Sequence, residues 1–299
     1  MVNRGGGVLS VVGKVLNFTG ENGELAERVM GRRKMLVIEL NINVCDSMGA
    51  NVVNTVCEKI APTIQEISGG RVGLRILSNL CIYRKAGAEF KIPCSKLGSP
   101  KIDGDRYAQL IMEAYLFAVG DIFRAATHNK GIMNGIDGVA LATGQDWRAV
   151  ESAAHSYASI GQYKPLTTYL ITTDASGTQY LEGRIEVPIS VGTRGGVTHS
   201  NPLYIQTLEI LKNPSSSQLA EIMAAVGLAQ NFAALRALAF EGIQKGHMKL
   251  HARNIAISAG IPLEHIEDAV KYLIEINDIS VDRARQFILE NQHRMGDLF

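Results

Sequence analysis

The chain has 299 residues, 46% apolar and 20% charged, with a formal net charge of +1. That length can bury a large core in one or two domains. The composition excludes a disordered chain, and the near-zero charge removes any chain-wide electrostatic case for nucleic acid or an acidic membrane surface. No continuous apolar run reaches the length of a membrane span, and residues 1–15 carry no signal-peptide pattern. Cys45, Cys57, Cys81 and Cys94 lack CxxC spacing and sit in apolar contexts, which points to reduced core thiols and a cytoplasmic protein.

Residues 35–44 (MLVIELNINV) read as a strand behind a turn at Gly31. From Asn51, apolar residues recur at helical spacing as far as Gly69 and Gly70, and residues 71–80 (RVGLRILSNL) then read as a second strand. Strand, helix, strand predicts a compact α/β unit over residues 5–78. Residues 106–126 and 147–159 are helical in pattern. Residues 167–189 alternate on either side of Ser176 and Gly177, a hairpin signal. Residues 217–259 are alanine-rich and helical, and residues 263–291 form a separate helical piece.

Four stretches carry candidate chemistry. DSMGAN (Asp46 to Asn51) joins strand to helix: Gly49 permits a close turn, the helix start offers free amides to a phosphate, and Asp46 could accept from ribose hydroxyls. The same residues also suit a plain capping turn, and they are not the GxGxxG fingerprint. VGTRGGVTHSNP (Val191 to Pro202) puts Gly192, Gly195 and Gly196 in one loop, able to cradle a planar ring or phosphates, or simply to turn. THNKGIMNGID (Thr127 to Asp137) sets Lys130 among glycines and amides. It reads either as a loop with a solvated lysine or as a cleft lysine beside amides that position a polar substrate. Asp146 follows in TGQDW, as a helix N-cap or as the carboxylate that holds such a lysine protonated. His247 and His251 are four apart, but no HExxH glutamate lies between them and no third ligand is evident. The reading is therefore no metal and one histidine as a general acid.

Taken in order, these stretches resemble the soluble bacterial and archaeal class, class II, of 3-hydroxy-3-methylglutaryl-coenzyme A (HMG-CoA) reductase. DSMGAN is similar to the family's DAMGAN, THNKGIMNGID matches its lysine block, and residues 226–254 match its histidine block almost residue for residue. The resemblance implies an α/β (α+β) fold: a large HMG-CoA-binding domain with an inserted ferredoxin-like NAD(P)-binding small domain and a carboxy-terminal helical flap. Residues 1–78 would be the small domain, 79–247 the large domain and 248–299 the flap. It also implies reduction of the thioester by two hydrides from NADH or NADPH, giving mevalonate and coenzyme A, or the reverse. Lys130 would polarise the carbonyl, Asp146 would tune it, and His247 would protonate the departing thiolate. Arg124, Asn134 and Asn79 would hold the substrate's carboxylate and hydroxyl. Asp46, Met48, Gly49 and Asn51, with Gly195 and Gly196, would bind the cofactor. The family implies a homodimer, or a higher oligomer of dimers, with neither nucleic acid nor membrane as partner.

Several positions depart from the family pattern. Arg194 and Val197 replace an aliphatic and a small residue in the glycine loop, and Phe240 stands where threonine is common. Ser10 falls where some NADH-using members carry an aspartate, which leaves NADPH open. The family's upstream E-N-V-I-G motif, with its catalytic glutamate, is not in these 299 residues, so the expectation is little or no mevalonate formation by them alone. The alternative implied is a non-catalytic relative that keeps a coenzyme A or nucleotide site, or only a dimer interface.

Overall fold

Turn chemistry and alternation set out the first elements of the chain. They are seen in a computed structural model that describes residues 3, 5–98, 102–240 and 243–291; of residues 243–250 it describes the backbone and the Met248 side chain. The elements are β1 (Gly7–Asn17), α1 (Gly20–Met30), β2 (Lys34–Asn43), α2 (Ala50–Ser68), β3 (Lys85–Pro93), α3 (Gly104–Gly120), α4 (Ile122–Ala142) and α5 (Trp147–Ala158). They continue with β4 (Thr167–Thr173), β5 (Gln179–Pro188), α6 (Pro202–Ile210), α7 (Ser216–Phe240), α8 (Ile243–Ser258), α9 (Ile266–Glu275) and α10 (Val281–Glu290). The mixed α/β class is as expected. Cα packing separates one unit, residues 1–91, 121–169 and 182–230, from another, residues 92–120, 170–181 and 231–299.

In the first unit β1 and β2 pair antiparallel, Gly7 opposite Asn43 and Asn17 opposite Lys34, with a bulge between Val8 and Ser10. α1 and α2 each stop at a left-handed glycine, Gly31 and Gly69, where a side chain would be strained. The strand expected at residues 71–80 does not form. Leu74 is 93% exposed, and the Leu77 N–H goes to the Asn54 side chain at 2.9 Å instead of to a neighbouring strand. Strand-forming residues without a ladder partner stay irregular.

The second sheet has the order β3-β5-β4. Tyr169 is fully buried, edge-on to Phe90 at 6.1 Å; a Cβ at Gly183 would lie 2.5 Å from the Phe90 ring, so the strand passes beneath it only as glycine. α4 crosses α7 through a reciprocal pair of glycines. A Cβ at Gly135 would meet the Val226 carbonyl at 2.9 Å, and one at Gly227 would meet Ile136 at 2.8 Å. Ile132, Met133 and Ile136 of α4 and Leu219, Met223 and Ala224 of α7 are buried. α7 reaches the length and hydropathy of a membrane span, contrary to the sequence expectation: the isolated polar residues Gln230, Asn231 and Arg236 break the continuous run but not the average. A third of its most apolar window is buried within the fold.

The helical pattern expected over residues 106–126 is two helices. α3 ends at Gly120, and the Asp121 carboxylate accepts the Arg124 N–H at 2.7 Å and starts α4 afresh. In the second unit α3 begins on Gly104, where a Cβ would fall 1.8 Å from the Cys94 carbonyl. Phe240 stacks on Tyr107 with centroids 3.8 Å apart, which accounts for an aromatic ring at that position. Ala252, Ala256, Ile266, Val270, Leu273 and Phe287 form a continuous core for α8, α9 and α10. The piece read as separate at residues 263–291 therefore shares its core with α8, which the sequence pattern joins to the helical stretch before it.

Candidate active site

The DSMGAN turn and the glycine loop lie against each other in the first unit. Gly49, at φ 104°, is the N-cap of α2 and packs a hypothetical Cβ 2.9 Å from Val44. Neither a capping side chain nor a first-turn acid serves α2, so its leading amides keep the capacity to meet an anion. The Asp46 carbonyl accepts the N–H groups of Thr193 at 2.9 Å and Arg194 at 3.2 Å. Gly192 is what permits this approach: a Cβ there would stand 2.4 Å from the Met48 nitrogen. Gly195 and Gly196 have positive φ and open space around them. The Asp46 carboxylate, read as a ribose acceptor, gives one oxygen to the Ser216 N–H at 2.9 Å and so caps the start of α7. Asn51 and Asn79 are exposed.

Two side chains that no motif marked hold this arrangement. Arg84 donates to the carbonyls of Ser47, Met48 and Val191 at 3.0, 3.0 and 2.6 Å, and its burial pushes the guanidinium pKa down. Gln145 clamps Gly192 at both ends, accepting its N–H at 2.9 Å and donating to its carbonyl at 3.0 Å. A cavity of about 320 Å³ opens beside Asp46, Arg84, Lys85 and Ser216. Another, of about 240 Å³, is lined by Thr193, Arg194, Thr198 and His199.

The lysine block is helical throughout. Lys130 and Asn134, one turn apart, are exposed on the same face of α4, and Lys130 makes no hydrogen bond or ion pair among the described residues. The neighbouring amide does something else. Asn129 is fully buried, donating to the Lys164 carbonyl and accepting the Leu166 N–H, both at 2.9 Å. His128 meets the Thr167 hydroxyl at 2.7 Å, and burial, with Arg124 nearby, drives its pKa down to about 4, so it is neutral. Both stitch α4 to the segment entering β4. Arg124 is half-buried, its pKa lowered by desolvation. Asp146 caps α5, accepting the Ala149 N–H at 3.1 Å, and is not paired with Lys130. His247 lies on α8 by its backbone; its side chain is outside the described residues.

The second turn beyond Lys130 carries a carboxyl pair. One oxygen of Asp137 is buried with no hydrogen-bond partner among the described residues. Burial, then the Glu151 carboxyl beside it, raise the Asp137 pKa to about 7. Glu151 in turn meets His155 at 2.9 Å, and the other ring nitrogen of His155 meets the Tyr163 hydroxyl at 2.8 Å.

Fold and site together define a mixed α/β protein in which an amide-bearing strand-to-helix turn and a glycine loop are bound into one unit with a lysine-bearing helix. Residues 9–252 match the hydroxymethylglutaryl-coenzyme A reductase family. The chain is 48% identical over 288 residues to the 3-hydroxy-3-methylglutaryl-coenzyme A reductase of Archaeoglobus fulgidus, covering 96% of this chain and 61% of that protein. It is 42% identical over 219 residues to a probable enzyme of the same name from Borreliella burgdorferi, covering 73% of this chain and 50% of that one. Among solved structures it resembles the class II enzyme of Streptococcus pneumoniae bound to NADPH in open conformations. That likeness has a TM-score of 0.71 at 38% identity, over 98% of this chain and 67% of that one. The chain belongs to the hydroxymethylglutaryl-coenzyme A reductase family. It spans 61% and 50% of the length of the two curated relatives.

Proposed function

We propose that this chain serves NAD(P)H-dependent reduction of HMG-CoA: one thioester, two reduced nicotinamides and two protons give mevalonate, coenzyme A and two oxidised nicotinamides. The observation that carries the reading is the contact of the Asp46–Gly49 turn with the glycine loop in a unit that also presents Lys130 outward. Uncapped amides at α2 and the close, side-chain-free approach at Gly192 suit a dinucleotide, which supplies hydride when bound. NADPH in the pneumococcal relative supports the same cofactor class here.

In this reading the Lys130 ammonium stabilises the oxyanion that develops on the thioester carbonyl and then on the aldehyde. Asp146 lies at the start of α5, and its neighbour Gln145 ties that start to the glycine loop. His247 protonates the departing thiolate. Arg124 and Asn134 on α4, with Asn79, bind the carboxylate and hydroxyl. Residues 1–78 act as the small cofactor domain, 79–247 as the substrate domain and 248–299 as the flap. The assembly is a dimer or an oligomer of dimers in the cytoplasm.

Lys130→Ala tests the reading. Measured in a chain that also carries the family's upstream glutamate block, NAD(P)H oxidation with HMG-CoA should fall by two to three orders of magnitude, the loss of about 3–4 kcal/mol typical for an oxyanion-stabilising group. Thermal stability should change little, since Lys130 is exposed and makes no hydrogen bond or ion pair among the described residues. Rates within a few fold of the unaltered chain would refute it. Among the described residues Lys130 has no ion partner, and that favours a second reading, a relative that binds dinucleotide or coenzyme A without turnover. Ligand binding with no NAD(P)H oxidation would select it.

A further inference from the structure

We propose that Arg84 is a positioning residue for the dinucleotide, its half-buried fork fixing the Asp46–Gly49 turn against the entry of the glycine loop. The proposal rests on the reductase reading for the identity of the ligand at that turn.

The geometry is specific. Nη1 donates to the carbonyls of Ser47 and Met48, each at 3.0 Å, and to the Ser190 hydroxyl at 3.3 Å. Nη2 donates to the Val191 carbonyl at 2.6 Å and the Ser216 hydroxyl at 3.2 Å, with the Cys45 carbonyl at 3.5 Å. Three segments far apart in sequence thus converge on one group: the turn after β2, the chain leaving β5, and the first residue of α7. The Ser190 hydroxyl donates to the Met48 carbonyl at 3.0 Å and closes the ring of contacts. Every acceptor is neutral, and the carboxylate that favours the charged guanidinium is Asp46.

A trans peptide points its N–H away from its C=O. With the Ser47 and Met48 carbonyls drawn onto Arg84, the N–H groups of Met48 and Gly49 are turned away from it. Successive amides turned the same way form an anion-binding concavity. Arg84 thereby sets the orientation of the amides that the dinucleotide would use, without itself touching the thioester. A lysine cannot reproduce this, because one ammonium nitrogen cannot span acceptors that the two guanidinium nitrogens hold apart.

The test uses the 299-residue chain, Arg84→Lys, Arg84→Met and the milder Ser190→Ala. NADPH and NADH affinities are measured by nicotinamide fluorescence, and coenzyme A affinity by calorimetry. Arg84→Lys should weaken both dinucleotides by about tenfold or more while leaving coenzyme A within about twofold. Ser190→Ala, which keeps the fork, should lose about two- to threefold and stands in if Arg84→Met fails to fold. Dinucleotide affinity unchanged in Arg84→Lys overturns the assignment of Arg84 alone. Equal weakening of dinucleotide and coenzyme A also overturns it, as the mark of a general structural role. An unaltered chain that binds coenzyme A but neither dinucleotide overturns the reductase reading, and this proposal with it.

Discussion

Replacing Asp137 by asparagine should stabilise the protein, and by an amount that grows with pH. In the folded chain burial and the neighbouring Glu151 carboxyl raise Asp137 from an ordinary value of 3.8 to about 7. Between those two values the folded state keeps a proton that the unfolded state has released. Stability therefore falls as pH rises through this window, is unaffected below it, and carries the full penalty above it. At about 1.4 kcal/mol per tenfold the ceiling is roughly 4 kcal/mol. Asp137 is only partly buried and water screens the pair, so about 1–2 kcal/mol is expected. An asparagine has no such titration, and its amide can donate to Glu151. In a chain of this size that gain raises Tm by about 2–3 °C at pH 8 and by close to nothing at pH 4. Scanning calorimetry of parent and variant at matched pH values reads the difference directly. The comparison cancels groups remote from the Asp137–Glu151 pair and leaves the pair, with the His155 that meets Glu151, as what differs. An advantage that is flat across pH, or larger at pH 5 than at pH 8, would show that no proton is held at this pair.

Two further changes probe the stitching and the cofactor. Asn129→Ala leaves the Lys164 carbonyl and the Leu166 N–H without their partner in a fully buried place, so about 2–4 kcal/mol of stability should be lost in denaturant titration; a loss under 1 kcal/mol would show that water replaces the amide. Ser10→Asp should move the ratio of kcat/KM values toward NADH by about tenfold, since a carboxylate would face a 2′-phosphate. The Asn41 amide, which already donates to the Ser10 hydroxyl at 2.7 Å, can donate equally to the new side chain, so the fold should tolerate it. An unchanged ratio would place residue 10 away from the ribose.

Local signals were legible and distant ones were not. β2, α2, α5 and the β4–β5 hairpin follow from period and from glycine stops, which lie within the elements themselves. The failed strand at residues 71–80 turned on a fact outside the local pattern, whether a ladder partner exists, whereas the split at Asp121 was a local signal passed over, a carboxylate three residues from the amide it caps. At the site, Gly49 and Gly192 announce close approach by composition. Arg84 acts on residues 37, 106 and 132 positions away in the chain, and nothing near it in sequence distinguishes it from a surface arginine.

The lysine block was legible in a way the spacing reading missed. Ala125, Ile132, Ile136 and Ala140 mark one stripe at helical period, and Asn129 and Gly135 fall inside it while Lys130 and Asn134 fall outside. The small and amide residues around Lys130 are therefore two sets serving two faces. Gly135 lets α4 close on α7, and Asn129 anchors the approach to β4. Together they fix the helix so firmly by its inner face that the outer one, with its lysine and amide, needs no partner within the described chain to hold its place. The position of Lys130 is thus set from behind, and among the described residues its ammonium carries no hydrogen bond or ion pair.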